Sequence, residues 1–226
     1  MMRHAPLFLL CGLAAGAQAQ RSGYDPSMFN SIAANERAHH AGMLRSSDPP
    51  TRGFDVKYLR CAWDLDPAIR QISGSVTTYF TATAAQGQVV LDLRASLPVD
   101  SVWMHGVNVP YSQDPGDLLT ITPPATIPQG ATDSMTVTYH GVPPDTGLGS
   151  FMTGQHSGVP VLWTLSEPYG AKDWWPCKQD LNDKADSLDT YVTTPSAYRA
   201  AGNGLLTDSA TSNGRTTWHW RHRYPI

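Results

Sequence analysis

Glutamate is nearly absent: only Glu36 and Glu167 occur among 226 residues. Neither follows a histidine, since Glu36 lies between Asn35 and Arg37 and Glu167 between Ser166 and Pro168. The His-Glu-x-x-His pattern, in which two imidazoles one helical turn apart hold zinc beside a general-base glutamate, is therefore missing. Basic residues are also few. Sixteen Lys and Arg against 19 Asp and Glu give a formal charge of −3, which excludes a phosphate-binding surface and a nucleic-acid partner. No apolar run after residue 13 is long enough to cross a bilayer, which takes about 20 residues. Internal repeats and low-complexity segments are lacking. Asp180, Asp183, Asp186 and Asp189 recur every three residues but form no Asp-x-Asp-x-Asp-Gly calcium loop. With Lys178 and Lys184 among them, they read as a solvated acidic loop.

What is present begins with a targeting segment. Arg3, the apolar stretch Leu7 to Leu13 and the small-x-small pattern Ala17-Gln-Ala19 predict a leader over 1–19, with Gln20 opening the mature chain. Export to the periplasm, the cell surface or the medium follows. Cys11 leaves with the leader, so Cys61 and Cys177 remain in an oxidising compartment. Compartment and even count predict a disulfide between them; two buried free thiols are the alternative. Residues 20–53 form an N-terminal segment. Phe29, Ile32, Ala33, Glu36, His40 and Met43 fall at helical spacing, and Pro49-Pro50 stops the run.

From Phe54 the period changes to two. Val56 and Tyr58 set one phase, and Cys61, Trp63 and Leu65 then take over in another. Ile72 to Ala82 alternates for about a dozen residues, as an antiparallel strand with one wet face does. Val89–Leu93, Val99–Met104, Val107–Val109, Leu118–Thr122 and Met135–Tyr139 follow, divided by Gly, Pro and Asp. Gly141 to Gly158 reads as a loop. Leu188–Val192, Tyr198–Leu206 and Thr216–Arg223 read as later strands, with Asn213-Gly214 a hairpin turn. The expected fold is all-β: an antiparallel β-sandwich or saddle-like domain over 54–226, with a short N-terminal helix.

One stretch departs from this regularity. Trp163 to Asp183 holds three tryptophans, Cys177, the lone Glu167 and two X-Pro steps. Such a segment between sheets can place polar groups at the mouth of a site. The tryptophans themselves read as buried scaffold. Glu167 on these grounds alone reads equally as a surface carboxylate on the turn before Pro168.

The ordered pattern Thr164-Leu-Ser-Glu-Pro168, then Trp175-Pro-Cys-Lys-Gln-Asp180, resembles the N-terminal domain of the aminopeptidase N family. These are zinc metallopeptidases of the gluzincin type, and the similarity is to an exported bacterial branch. Thr164, Glu167, Pro168, Pro176, Cys177 and Asp180 match the family's pattern. Leu165 stands where glutamine is usual, and Leu181-Asn182 where Glu-Pro often follows. The resemblance implies that Glu167 binds the free α-amine of a peptide substrate. A carboxylate suits an ammonium group, because charge-assisted bonds are the strong ones. A blocked N-terminus would leave that carboxylate unpaired, which gives exopeptidase selectivity. The resemblance also implies a zinc-activated water in the full-length protein. The zinc ligands cannot be in these residues, and no metal site is expected in this chain. The chain stops at Tyr224-Pro225-Ile226, directly after a strand, so it reads as an inactive fragment whose partner is its own missing catalytic domain. The rival reading is a free-standing exported β-sandwich module that binds glycans or serves adhesion, with Trp174 and Trp175 as its platform.

Overall fold

A computed structural model describes residues 52–145, 150–166, 169–180 and 182–225. The expected leader and the helix over 29–45 lie outside the described residues. Within them the fold is nearly all strand, as the alternation predicts.

An eight-stranded sheet forms the base. β1 (Phe54–Asp66), β2 (Ile69–Ala82), β4 (Val99–Met104), β5 (Val107–Asn108) and β8 (Thr132–Gly141) make up one half. β11 (Ser187–Pro195), β12 (Leu205–Ser212) and β13 (Arg215–Arg223) complete it, in the order β12-β13-β11-β1-β2-β8-β4-β5. β3 (Val89–Asp92), β6 (Tyr111–Gln113) and β7 (Leu118–Ile121) form a three-stranded sheet. β9 (Phe151–His156) and β10 (Val159–Thr164) form a hairpin.

The change of phase along β1 has a physical cause. Its register against β2 shifts between Val56 and Tyr58, as at a β-bulge, so Phe54, Val56, Cys61, Trp63 and Leu65 all face the core. The predicted turns also carry the required backbone: His105-Gly106 and Asn213-Gly214 have φ of 51° and 78°, and of 50° and 74°.

Two adjoining clusters cover one face of the large sheet. In the first, Phe54, Phe80, Val102, Met135 and Val137 meet Val89, Leu91, Leu119 and Ile121 of the small sheet. In the second, Cys61, Trp63, Ile72, Val76 and Tyr139 meet Leu93, Leu97, Phe151 and Trp174. Each fully buried side chain of this size contributes about 1.5–3 kcal/mol. The aromatic stretch thus serves as the lid of half the core.

Several expectations need correction. The large sheet is not wholly antiparallel, because β1 pairs β11 in parallel over Tyr58 to Asp64. Gly141–Gly158 is not all loop: β9 lies inside it. The strand expected at Tyr198–Leu206 instead runs over Leu205–Ser212, where every residue is exposed and no burial pattern could mark it. The acidic residues are not all solvated. Asp189 accepts hydrogen bonds from Tyr58 Oη (2.7 Å) and Arg221 Nε (3.0 Å) and pairs with His219 Nε2 (2.9 Å). Burial opposes its charge, but these partners outweigh burial and hold its pKa down at about 2.

Candidate functional site

The stretch leaves β10 at Thr164 and is fastened at both of its limbs. Leu165 donates its backbone N–H to the Ser150 carbonyl at 3.0 Å, and Gly170 donates to the Ser166 carbonyl at 2.8 Å. Glu167 and Pro168, between these bonds, lie outside the described residues. A single 3-10 turn, Ala171–Asp173, delivers the chain to Trp174.

Trp174 is the hinge-pin of the corner. It is 6% exposed, and its ring centroid lies 4.6 Å from that of Trp63. Its carbonyl accepts from Tyr139 Oη at 2.8 Å, while Tyr139 Oη accepts from Trp63 Nε1 at 3.1 Å. Trp174 Nε1 donates to Ser166 Oγ at 3.2 Å, next to Glu167 in sequence. Gly74 leaves room for this cluster: a Cβ there would lie 2.7 Å from Trp63 Cδ1 and 3.0 Å from Tyr139 Oη.

Beyond Trp175 the chain docks on the small sheet. Asp92 and Cys177 exchange backbone hydrogen bonds of 2.7 and 3.0 Å. The Asp92 carboxylate accepts from Gln179 N (2.9 Å) and Arg52 Nη2 (2.6 Å), and Gln179 Nε2 donates back to the Tyr169 carbonyl at 2.6 Å. Lys178, nearly buried, donates to the Phe54 carbonyl at 2.6 Å and pairs with Asp183. Asp183 in turn accepts from the Val56 N–H at 3.1 Å, at the bulge in β1. Burial raises the Asp183 pKa against the pull of Lys178.

The two cysteines are brought into the same aromatic corner but are not joined. Cys61 and Cys177 are both buried free thiols, where compartment and count predict a disulfide. Desolvation raises both thiol pKa values, so the neutral form is the one favoured. Of the three tryptophans expected as scaffold, Trp174 is buried and Trp175 packs against it edge-on at 63°, but Trp163 is 49% exposed. A glycan platform at Trp174 and Trp175 needs flat exposed faces, and this packing does not offer them.

Sequence reasoning passed over the charged residues beneath the turn. Asp173, 1% exposed, accepts from Arg94 Nε at 2.6 Å and from Ser150 Oγ at 2.7 Å. Arg94 also donates through Nη1 to Asp117 at 2.7 Å. Burial opposes the Arg94 charge, but Asp173 and Asp117 outweigh it and raise its pKa. The only signal in the sequence was an aspartate next to two tryptophans, which has no period to betray it.

No group of three or more His, Cys, Asp or Glu able to hold a metal occurs among the described residues. The residues here therefore do not fit a zinc site. A cavity of about 50 Å³ behind Trp175, lined also by Cys177, Lys178 and Asp183, has room for water but not for a peptide. No described helix is long and apolar enough to cross a membrane.

Comparison with known proteins agrees with this architecture. The family model for the Peptidase M1 N-terminal domain matches residues 55–226. No curated protein matches the chain. Among solved structures, a mutant two-domain M1 zinc metallopeptidase bound to L-arginine is 27% identical with a TM-score of 0.68, covering 76% of this chain and 40% of its own. The M1 zinc metallopeptidase of Deinococcus radiodurans is 26% identical (TM-score 0.67, covering 76% and 39%). A mutant of the Deinococcus radiodurans enzyme bound to a Tyr-Ser-Ala substrate is 28% identical (0.67, 76% and 40%). The chain thus spans about 40% of the length of these structures. With the family model covering most of its length, this chain belongs to the Peptidase M1 N-terminal domain family.

Proposed function

We propose that this chain is the non-catalytic N-terminal domain of an exported zinc aminopeptidase, that it lines the active-site cleft, and that Glu167 binds the substrate α-amine. The observation that carries this reading is the family match over 55–226, together with relatives that bind an amino acid and a tripeptide. Glu167 is the one glutamate in the matched region and stands next in sequence to Ser166, whose hydroxyl accepts from Trp174 Nε1. A carboxylate there meets the three donors and positive charge of an ammonium group with charge-assisted bonds. Zinc belongs to the complete protein, held by residues outside this chain. The leader-like residues 1–19 support export.

The complete protein should release the N-terminal residue from an oligopeptide with a free amine and leave its N-acetylated counterpart intact. Chelation should abolish that activity, and the 226-residue chain alone should neither bind zinc nor hydrolyse peptides. Equal cleavage of the free and acetylated peptides would refute the assignment.

A further inference from the structure

Successive side chains of a strand point to opposite sides, so a strand with one wet face alternates apolar and polar residues. β10 does not: Val159-Pro-Val-Leu-Trp163 is an unbroken apolar run. Its inward phase is accounted for, since Leu162 packs on the second core cluster, which contains Phe151 of β9. The outward phase carries Val159, Val161 and Trp163, and Leu165 continues it past the end of the strand. On β9, Met152 pairs with Trp163 and Gly154 with Val161 on the same side. A Cβ on Gly154 would lie 3.2 Å from Trp163 Cζ3, so the indole rests on the bare backbone there. Val159, Trp163 and Leu165 are nonetheless exposed, and the patch ends at His156 beside the turn.

Elsewhere the domain turns polar groups to water. The face of the large sheet opposite the core bears the hydroxyl pairs Thr77–Thr136 and Thr193–Thr217 and the charges of Arg60, Asp189 and Arg221. The hairpin has no Asp, Glu, Lys or Arg from Ser150 to Ser166, in a chain that is 15% charged. Apolar residues gathered on one face, free of charge and centred on a tryptophan, have the composition of a buried contact. A strand apolar on both faces is one covered on both faces.

We infer that the outward face of the β9–β10 hairpin is the seam against the zinc-bearing remainder of the complete protein. This rests on the reading of the chain as one domain of a longer zinc aminopeptidase, and it adds which face meets the rest. The chain spans about 40% of the solved structures it resembles, so most of such a molecule lies outside it. A permanent contact is the kind that is rich in apolar residues, which suits this face better than a transient partner does. The strand that feeds the aromatic stretch then runs along the boundary between the domains.

Hydroxyl-radical footprinting of the complete zinc-containing protein, as a lipid-free monomer and read by mass spectrometry, tests it. Trp103 on β4 is the internal reference, being 44% exposed against 49% for Trp163. Trp163 should oxidise about tenfold more slowly than Trp103, because the core of such a seam is fully desolvated. Met152, its cross-strand partner, should be protected with it. Protection that appears only as protein concentration rises would make a second copy the occupant and overturn the inference. If Trp163 and Trp103 react alike in an enzyme that cleaves free-amine peptides and spares acetylated ones, the inference fails and the aminopeptidase reading stands. If Trp163 is protected but no such cleavage occurs, the aminopeptidase reading fails and the seam remains.

Discussion

Replacing Tyr139 by Phe removes one oxygen from the centre of the aromatic corner. Tyr139 is fully buried on β8, and its hydroxyl joins Trp63 Nε1 (3.1 Å) to the Trp174 carbonyl (2.8 Å). Burial raises its pKa well above the ordinary range, so it is a neutral donor at every working pH. The substitution leaves the indole N–H and the carbonyl without this partner in a packed site, at roughly 1–3 kcal/mol each. The total, roughly 2–6 kcal/mol, is a large part of the 5–15 kcal/mol typical of a domain. Urea unfolding of the chain, followed by tryptophan fluorescence, should show the midpoint falling by about 1–2 M with the slope unchanged. Tyr79→Phe is the control: Tyr79 is 39% exposed, and its loss should stay within about 0.5 kcal/mol. If Tyr139→Phe is as mild as Tyr79→Phe, the hydroxyl does not bridge the two tryptophans and the account of the corner is wrong.

Three other outcomes are expected. The mature protein, never exposed to reductant, should yield two reactive thiols in denaturant and none when native, since Cys61 and Cys177 are buried and free; a count of zero in denaturant would establish the disulfide instead. Asp189 has its pKa lowered to about 2, so its stabilising contribution is present above the unfolded value of about 3.9 and is lost as pH falls towards 2. Asp189→Asn should therefore flatten the dependence of melting temperature on pH between about 4 and 2, and an unchanged slope would count against the network. Gly170→Ala should destabilise the chain by roughly 1–3 kcal/mol because its Cβ meets Ser150 and Leu165, whereas Gly158→Ala on the hairpin, with open space but φ of 79°, should cost about 1 kcal/mol. A Gly170→Ala effect no larger than that would contradict the packing of the turn.

The alternation of β2 and the change of phase along β1 were legible because one face of the sheet is buried and the other wet. His105-Gly106 and Asn213-Gly214 were legible because tight hairpins demand positive φ. β12 escaped because both of its faces are exposed, and β9 because glycine-rich flanks hide a short strand. The parallel pairing of β1 with β11 joins residues about 130 positions apart, and no local pattern records such a partner. Cys177, Trp174 and Glu167 stood out through their residue types. Asp173, Asp183 and Asp189 did not, because a buried carboxylate differs from a solvated one only through partners distant in sequence: Arg94, Val56, Tyr58 and Arg221.

The central claim is that Glu167 receives the α-amine of a peptide. Its most direct test is kcat/KM of the complete protein and its Glu167→Gln variant on one free-amine peptide. Loss of a charge-assisted bond is worth about 1.5–3 kcal/mol, so the variant should be slower by about 10- to 150-fold. A Glu167→Gln enzyme within twofold of the parent would contradict the claim.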